Sequence, residues 1–209
     1  SYYIGNGLKN EYRELMKVSA DILFMIAMPI AVGMICTSDI LIVLFSGAEF
    51  ISGSFAAKIL SVKLVVGAVN RILAYQICIP YKKDKEVLIS TVAGAVFNLL
   101  ANVILINFFD VSGAAIATLC SELIVFCVLT VYIRPFFETY SLYKRMPVYF
   151  CGSIWFLAVR EVVDICITDI VLKLIVTICI CSLGYFIFLI IIKDPYLKMF
   201  LRKGKEKLL

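Results

Sequence analysis

An uncharged apolar run over residues 87–109 is the feature that most restricts what this chain can fold into. As a helix, its 23 residues would be about 34 Å long, slightly more than the roughly 30 Å of hydrocarbon in a bilayer. Apolar runs of about 18 residues or more are typical of membrane spans. The run therefore predicts a transmembrane helix.

The composition of the whole chain supports an integral membrane protein. Of the 209 residues, 63% are hydrophobic and 17% are charged, and the mean hydropathy is +1.02. These values exclude an ordinary soluble fold. The net charge of +5 collects in short loops and at the C-terminal end, where it would meet lipid headgroups. We therefore expect membrane lipids as partners and no nucleic acid.

Hydropathy predicts an all-α polytopic protein, a six-transmembrane-helix bundle. Residues 1–20 form an amphipathic interfacial helix, residues 21–133 a four-helix membrane core, and residues 134–209 an additional helix pair with a basic tail. The apolar piece ILIVLF within residues 38–53 is too short to cross and would lie at the far interface or dip back. The six spans are predicted at residues 21–38, 54–79, 87–109, 112–133, 146–163 and 170–192.

The distribution of Lys and Arg predicts the orientation of these spans. Alternate connecting segments hold three, three, three and six basic residues, whereas the intervening segments hold none, none and one. Basic residues accumulate in cytoplasmic loops. Both ends of the chain are therefore predicted to be cytoplasmic, which checks the number of spans independently of hydropathy.

The second span is unusual because residues 53–80 carry cations at membrane depth. Lys63 and Arg71 lie about 6 Å on either side of Gly67 and differ by about 80° around a helix. A charge near the bilayer centre costs about 2.5–3.5 kcal/mol on insertion scales. This face must therefore look onto other helices, a water-filled cavity or an anionic ligand. We predict that Lys63 and Arg71 bind an anion together.

Four further polar residues extend this hypothesis. Lys58 either joins the binding face or snorkels to the outer interface. Asn70 and Gln76 would add hydrogen-bond donors to the polar surface. Glu122, the only acid deep in a span, is interpreted either as a structural ion pair with Lys63 or Arg71 or as a site of proton or sodium coupling.

Small and polar residues recur every four positions along the third span and draw one stripe on a helix. The stripe consists of Ser90, Gly94, Asn98 and Asn102. It predicts helix packing, with direct contact to a ligand as the alternative.

In the first span, Pro29 removes one backbone donor, and it marks either a functional hinge or a tolerated kink.

No pattern in the chain indicates an enzyme, a metal site or a cofactor. Histidine is absent, and the eight cysteines lack CxxC spacing, so we interpret them as small apolar side chains rather than a disulfide framework or redox pair. The motifs GxxxxGK[ST], GxSxG and HExxH are missing. We predict no catalytic residue.

Several weak motifs in a fixed order resemble the C-terminal half of bacterial polysaccharide flippases. These proteins, which handle O-antigen and other lipid-linked oligosaccharides, belong to the multidrug/oligosaccharidyl-lipid/polysaccharide exporter superfamily. The resemblance covers about residues 1–133. It rests on Pro29, LFSGAEF at residues 44–50, Gln76 before a Lys-rich turn, Asn98 and Asn102, and GAAIAT at residues 113–118 followed by Ser121 and Glu122.

The resemblance implies two bundles around a cavity, of which this chain supplies one. The chain begins at Ser1, so we expect a preceding six-helix lobe. The whole protein would flip an undecaprenyl-diphosphate-linked oligosaccharide across the bacterial inner membrane by alternating access, for lipopolysaccharide or other surface polysaccharide synthesis. The resemblance also implies polysaccharide polymerase machinery as a partner, and the pyrophosphate is expected to engage Lys63 and Arg71.

Three alternatives remain open on the sequence. One is an exporter of drugs or of the peptidoglycan precursor lipid II from the same superfamily, although cationic drugs would want acids in the cavity. Another is a membrane-embedded acyl- or glycosyl-transferase in which Glu122 acts as a base. The third is a truncated gene product without activity.

Overall fold

The structure, a computed structural model, describes residues 8–134 and 142–199, and all regular elements within them are helical. Three helices are long and apolar enough to cross a membrane by length and composition: α1 (Lys9–Ser46), α3 (Asp84–Ile133) and α6 (Ile170–Ile191). The expected all-α architecture is therefore confirmed. The N-terminal residues 1–7, part of the predicted loop at 135–141 and the basic tail at 200–209 lie outside the described residues.

Helix α1 is a single helix of 38 residues that runs through Pro29 without interruption. It joins residues 9–20 to the first predicted span and also takes in ILIVLF, so these are not separate elements as expected. The predicted boundaries at Asp21 and Ser38 rested on polarity, but the backbone stays helical through both residues. The helix ends at Gly47, whose φ of 101° favours glycine.

The second helical segment occupies the predicted span at 54–79 almost residue for residue. A short 3₁₀ turn (Ala48–Phe50) leads to α2 (Gly53–Arg71), which continues directly as a π-helical segment (Ile72–Cys78). The wider turns of the π segment change which helix face each residue after Arg71 occupies. The hydroxyl of Tyr12 on α1 donates a hydrogen bond to the Gln76 backbone carbonyl in this segment.

Helix α3 is a hairpin of two arms, residues 84–109 and 111–133, which reverse at Asp110 (φ 48°, ψ −130°). The arms correspond to the predicted third and fourth spans. They pack so closely that a Cβ placed on Gly94 would lie 3.2 Å from the Ser121 carbonyl oxygen and 2.5 Å from Val125 Cγ2. Asp residues are among the side chains that tolerate positive φ best.

The predicted fifth span is divided in two. Helices α4 (Met146–Ile154) and α5 (Phe156–Cys166) meet at Trp155, so a single helix over residues 146–163 is wrong. The Trp155 indole donates to the Gly152 carbonyl at 3.0 Å and lies against Gly184 of α6, where a Cβ would come within 2.3 Å of the ring. This close packing fixes the Trp155 side chain at the junction.

The core forms around α1, which packs against α2 on one side and against α4 and α6 on the other. Phe24, Leu73, Ile77 and Tyr149 are fully enclosed there. Hairpin α3 packs mainly on α2 and the π segment. Helix α2 therefore lies between α1 and hairpin α3, and a polar site can form where α3 packs on α2.

Candidate functional site

An open groove of about 390 Å³ lies between α2 and the two arms of α3. Both elements contribute polar and apolar residues to its lining. The lining residues are Lys63, Gly67, Asn70, Arg71, Ala74, Tyr75, Val87, Thr91, Gly94, Ala95, Asn98, Thr118, Ser121, Glu122, Val125 and Leu129.

The structure brings part of the predicted site together in this groove. Residues from three predicted spans, far apart in the chain, contribute to one surface. The predicted residues that line it are Lys63, Asn70, Arg71, Gly94, Asn98 and Glu122. Those that lie elsewhere are Lys58, Gln76, Ser90, Asn102 and Pro29.

Glu122 is held by two residues of α2. Lys63 Nζ lies 3.3 Å from Glu122 Oε1, and Asn70 Nδ2 donates to Oε2 at 2.7 Å and to the Glu122 backbone carbonyl at 2.9 Å. Positions 63, 67 and 70 follow one another on successive turns of one helix face. The carboxylate lies against Gly67, where a Cβ would be 3.4 Å from Oε1, an ordinary van der Waals contact.

Arg71 differs from Lys63 because it has no carboxylate partner among the described residues. Its side chain is exposed and faces the groove. With Lys63 balanced by Glu122, the groove keeps one uncompensated positive charge. This charge is what an anionic ligand would meet.

The amide of Asn70 leaves one acceptor unsatisfied. The residue is only 5% exposed, and its Oδ1 has no hydrogen-bond partner among residues 8–134 and 142–199. A buried polar atom without a partner costs about 1–3 kcal/mol. The groove therefore has an acceptor site that is available to a donor.

The polar stripe of the third span divides between packing and the groove. Ser90 is fully buried and donates to the Val87 carbonyl at 2.8 Å, and Gly94 permits the close approach of the α3 arms. Asn98 lines the groove and accepts a 3.0 Å hydrogen bond from Asn102 Nδ2. Asn102 itself lies outside the lining.

The other predicted site residues have separate surroundings. Lys58 Nζ pairs with Asp39 of α1 at 3.2 Å, so it links two helices near the N-terminal end of α2. Gln76 has an exposed side chain. Pro29 lines a different, apolar cavity of about 620 Å³ between α1 and α6. Helix α1 continues through Pro29 without a break.

A second ionic cluster was not anticipated from the sequence. Asp194 is almost completely buried and accepts from Arg145 Nη1 at 2.9 Å, from the Tyr149 hydroxyl at 3.1 Å, and from the backbone N–H of Tyr196 at 2.9 Å. Asp21 of α1 lies 3.8 Å from Arg145 Nε. The cluster links the start of α4, the chain after α6, and α1.

Tyr196 completes this cluster. Its hydroxyl donates to Asp21 Oδ2 at 2.6 Å, and its ring lies 5.5 Å below the Arg145 guanidinium. Burial, together with this hydrogen bond, raises the pKa of Tyr196 to about 12. The hydroxyl therefore stays protonated and keeps its donor role. The acids were visible in the sequence, but nothing local identified a partner more than a hundred residues away.

A third cluster lies near the opposite end of α1. Asp164 of α5 pairs with Arg160 and, at 2.8 Å, with Lys173 of α6. Arg160 Nε also donates to the Cys36 carbonyl at 3.0 Å, close to the Lys58–Asp39 pair. Arg160 therefore pairs with an acid one helical turn away.

Known proteins add nothing to these observations. No family model matches the chain, and neither a curated protein nor a solved structure matches it. No group of three or more His, Cys, Asp and Glu side chains that could hold a metal is present in the described ranges. The groove and the three long apolar helices are therefore the basis for a functional argument.

Proposed function

We propose that this chain forms one lobe of a membrane transporter that flips an undecaprenyl-diphosphate-linked oligosaccharide across the bacterial inner membrane. Transport would proceed by alternating access, without covalent chemistry, and would serve surface polysaccharide synthesis. The observation that carries the proposal is Arg71, a cation without a carboxylate partner among the described residues, in a polar groove shared with Lys63.

The ionic clusters on α1 support a position of the groove at membrane depth. Asp21 and Asp39 are 18 residues apart, which is about 27 Å along a helix and close to the thickness of bilayer hydrocarbon. Lys58 pairs with Asp39, and along α2 Lys63 lies about 8 Å and Arg71 about 20 Å from Lys58. Both groove cations would therefore lie within the hydrocarbon layer.

The same clusters support a crossing by the last helices. Lys173 and Asp194 lie at opposite ends of α6 and are 21 residues apart, about 31 Å along a helix. Arg145 and Asp164 bracket α4 and α5 in the same way. With α1, α2 and the two arms of α3, this gives the six crossings that the charge alternation predicts.

A polar groove at this depth must be shielded from lipid, because exposed charges within hydrocarbon are costly. The groove is open in this chain, so another bundle facing it would supply the shield. This supports a two-lobed transporter in which the N-terminal six-helix lobe completes the cavity. The ligand would then bind between the lobes.

The charge of the groove favours an anionic ligand. Two cations and one acid leave a net positive charge, which would oppose the cationic drugs carried by other exporters. Glu122 is engaged by both Lys63 and Asn70, so it is poorly placed to act as the base of a transferase. Lipid II, which is also an isoprenoid diphosphate, would satisfy the same charges.

The proposal is tested by replacing the groove cations in the bacterium that carries the gene. We expect Arg71→Gln to reduce surface polysaccharide at least tenfold, and Lys63→Gln to reduce it less, because Lys63 is already paired. Lys58→Gln is the matched control, since it removes a cation of the same helix outside the groove. Normal polysaccharide in Arg71→Gln cells with normal protein abundance would contradict the proposal.

A further inference from the structure

The apolar cavity between α1 and α6, which the proposed function does not use, is long and opens to the surface of the helix bundle. Its lining on α1 runs from Met25 to Leu41, 16 positions apart, or about 24 Å along a helix. On α6 it runs from Thr177 to Leu189, about 18 Å. Ile30 also lines it and is exposed. The cavity is therefore at least as long as one leaflet of bilayer hydrocarbon, about 15 Å.

A hydrogen bond between the two helices shapes this cavity. Pro29 has no N–H group, so the Met25 carbonyl four residues earlier lacks its helical donor. The hydroxyl of Tyr185 on α6 donates to that carbonyl at 2.9 Å, and all three residues line the cavity. Further along α1, a Cβ placed on Gly33 would have no atom within 4 Å. The tyrosine therefore joins α1 to α6 at one end, and the glycine leaves open space beyond it.

The lining favours a hydrocarbon chain over water. A volume of about 620 Å³ would hold roughly 20 water molecules, each of which needs two to four polar partners. Few hydroxyls line the cavity, and those of Thr37 and Tyr185 are already bonded to backbone carbonyls. Left empty, the walls would lose their dispersion contacts. Because α1 and α6 are both apolar enough to cross a membrane, the opening would meet lipid, whose chains can fill it.

Two lysines lie at the end of the cavity that Leu189 and Leu197 line. Lys193 comes four positions after Leu189, and Lys198 follows Leu197 directly. Both lysines are exposed, and neither has an ion pair within residues 8–134 and 142–199. Exposed cations at the depth of the headgroups attract anionic lipids. This end of the cavity therefore suits a negatively charged headgroup.

The acids at the same end do not cancel these lysines. Asp21 and Asp194 both lie within salt-bridge distance of Arg145. Lys193, Lys198 and Arg145 are three cations against these two acids, which leaves a charge of +1. A chain that enters the cavity from this end would hold its phosphate beside the two lysines.

We propose that the cavity binds one acyl chain of an anionic phospholipid, whose phosphate contacts Lys193 and Lys198. The site is separate from the groove between α2 and α3. It depends on the insertion of α1 and α6 in a membrane and not on any transported ligand, so it stands independently of the proposed function. An acyl chain matches the length of the cavity, whereas an undecaprenyl chain is several times longer.

Native mass spectrometry of the full-length protein in detergent tests the choice of lipid. The probes are dioleoyl phosphatidylglycerol, dioleoyl phosphatidylcholine with the same chains, and undecaprenyl phosphate. We expect phosphatidylglycerol to bind about 30-fold more tightly than phosphatidylcholine, because each lysine near the headgroup contributes about a factor of five. Equal affinity for the two phospholipids would overturn the proposal, as would tighter binding of undecaprenyl phosphate than of phosphatidylglycerol.

A pair of charge variants tests the position of the headgroup. Lys193→Gln combined with Lys198→Gln should lower the affinity for phosphatidylglycerol about 30-fold, to that of phosphatidylcholine. Lys82→Gln combined with Lys85→Gln is the matched control. It removes the same charge from exposed lysines at the start of α3, away from the cavity, and should keep the wild-type affinity. Equal losses in the two double variants would overturn the placement of the phosphate.

Filling the cavity tests the position of the chain. Gly33→Leu should abolish the complex with one phosphatidylglycerol, because the new side chain occupies the space of the acyl chain. Gly53→Leu is the control, since a Cβ there also has no atom within 4 Å but Gly53 lies at the start of α2. Ser182→Leu narrows the cavity from α6 as a second variant, and thermal unfolding verifies that each variant is folded. Wild-type phosphatidylglycerol affinity in folded Gly33→Leu or Ser182→Leu would overturn the proposal.

Discussion

Gly94 shows how one residue positions the groove. It lies where the two arms of α3 come closest, opposite Ser121 and Val125, and it also lines the groove. Glu122 follows Ser121 directly in the second arm and pairs with Lys63 and Asn70 of α2. The spacing of the arms therefore decides whether Glu122 reaches Lys63 and Asn70.

Gly94→Ala should destabilise the protein by about 1–3 kcal/mol, because the new methyl group would overlap a neighbouring side chain and press on a backbone carbonyl. Thermal unfolding in detergent measures the loss. Gly33→Ala is the control, since no atom lies within 4 Å of a Cβ at that helical position. The control should be neutral or slightly stabilising. Equal stability of the two variants would contradict the packing of the arms.

Among the elements, the segment after α6 is held by a single buried carboxylate. Asp194 accepts hydrogen bonds from Arg145 and Tyr149 at the start of α4 and from the backbone N–H groups of Tyr196 and Leu197. These bonds turn the chain back from α6 toward α1, where Tyr196 reaches Asp21. The short helix at 195–199 therefore depends on Asp194.

Asp194→Ala should cost about 2–4 kcal/mol, because it leaves several donors without their acceptor. Hydrogen exchange should rise at residues 195–199 and at the start of α4, while α2 stays protected. Glu161→Ala is the control, since Glu161 is an exposed acid without an ion pair among the described residues. Unchanged exchange at residues 195–199 would show that other contacts hold the segment.

Periodicity and charge predicted the elements better than their junctions. The apolar length of residues 87–109 and the glycine and serine positions that follow led to both arms of α3, and Lys63 with Arg71 led to the groove. The break falls at Trp155, whose ring packs on Gly184 of α6, and no local pattern encodes that contact. Asp21, the predicted start of the first span, lies inside the continuous α1 and contacts Arg145 and Tyr196, which come from distant parts of the chain.

For the whole molecule, the six proposed crossings make opposite predictions for alternate turns. In a cysteine-free background, a cysteine at Lys83 should react with a membrane-impermeant maleimide only after the cells are opened. A cysteine at Ala48 should react in intact cells, because the proposed topology places the turn after α1 on the outer side of the membrane. Equal labelling of both positions in intact cells would contradict the six-span topology.

The two ionic clusters that contact α1, one at Asp21 and the other at Cys36, have a consequence for how the proposed lobe can move. A helix that is held by contacts at two separate points cannot tilt without the helices that make those contacts. We therefore expect α1, α4, α5 and α6 to tilt only as a single block. Hairpin α3 is attached mainly through α2 and through the turn at Lys82, where φ is 59°. In the proposed transporter, opening and closing of the groove would therefore be a hinge motion of hairpin α3 relative to the other helices.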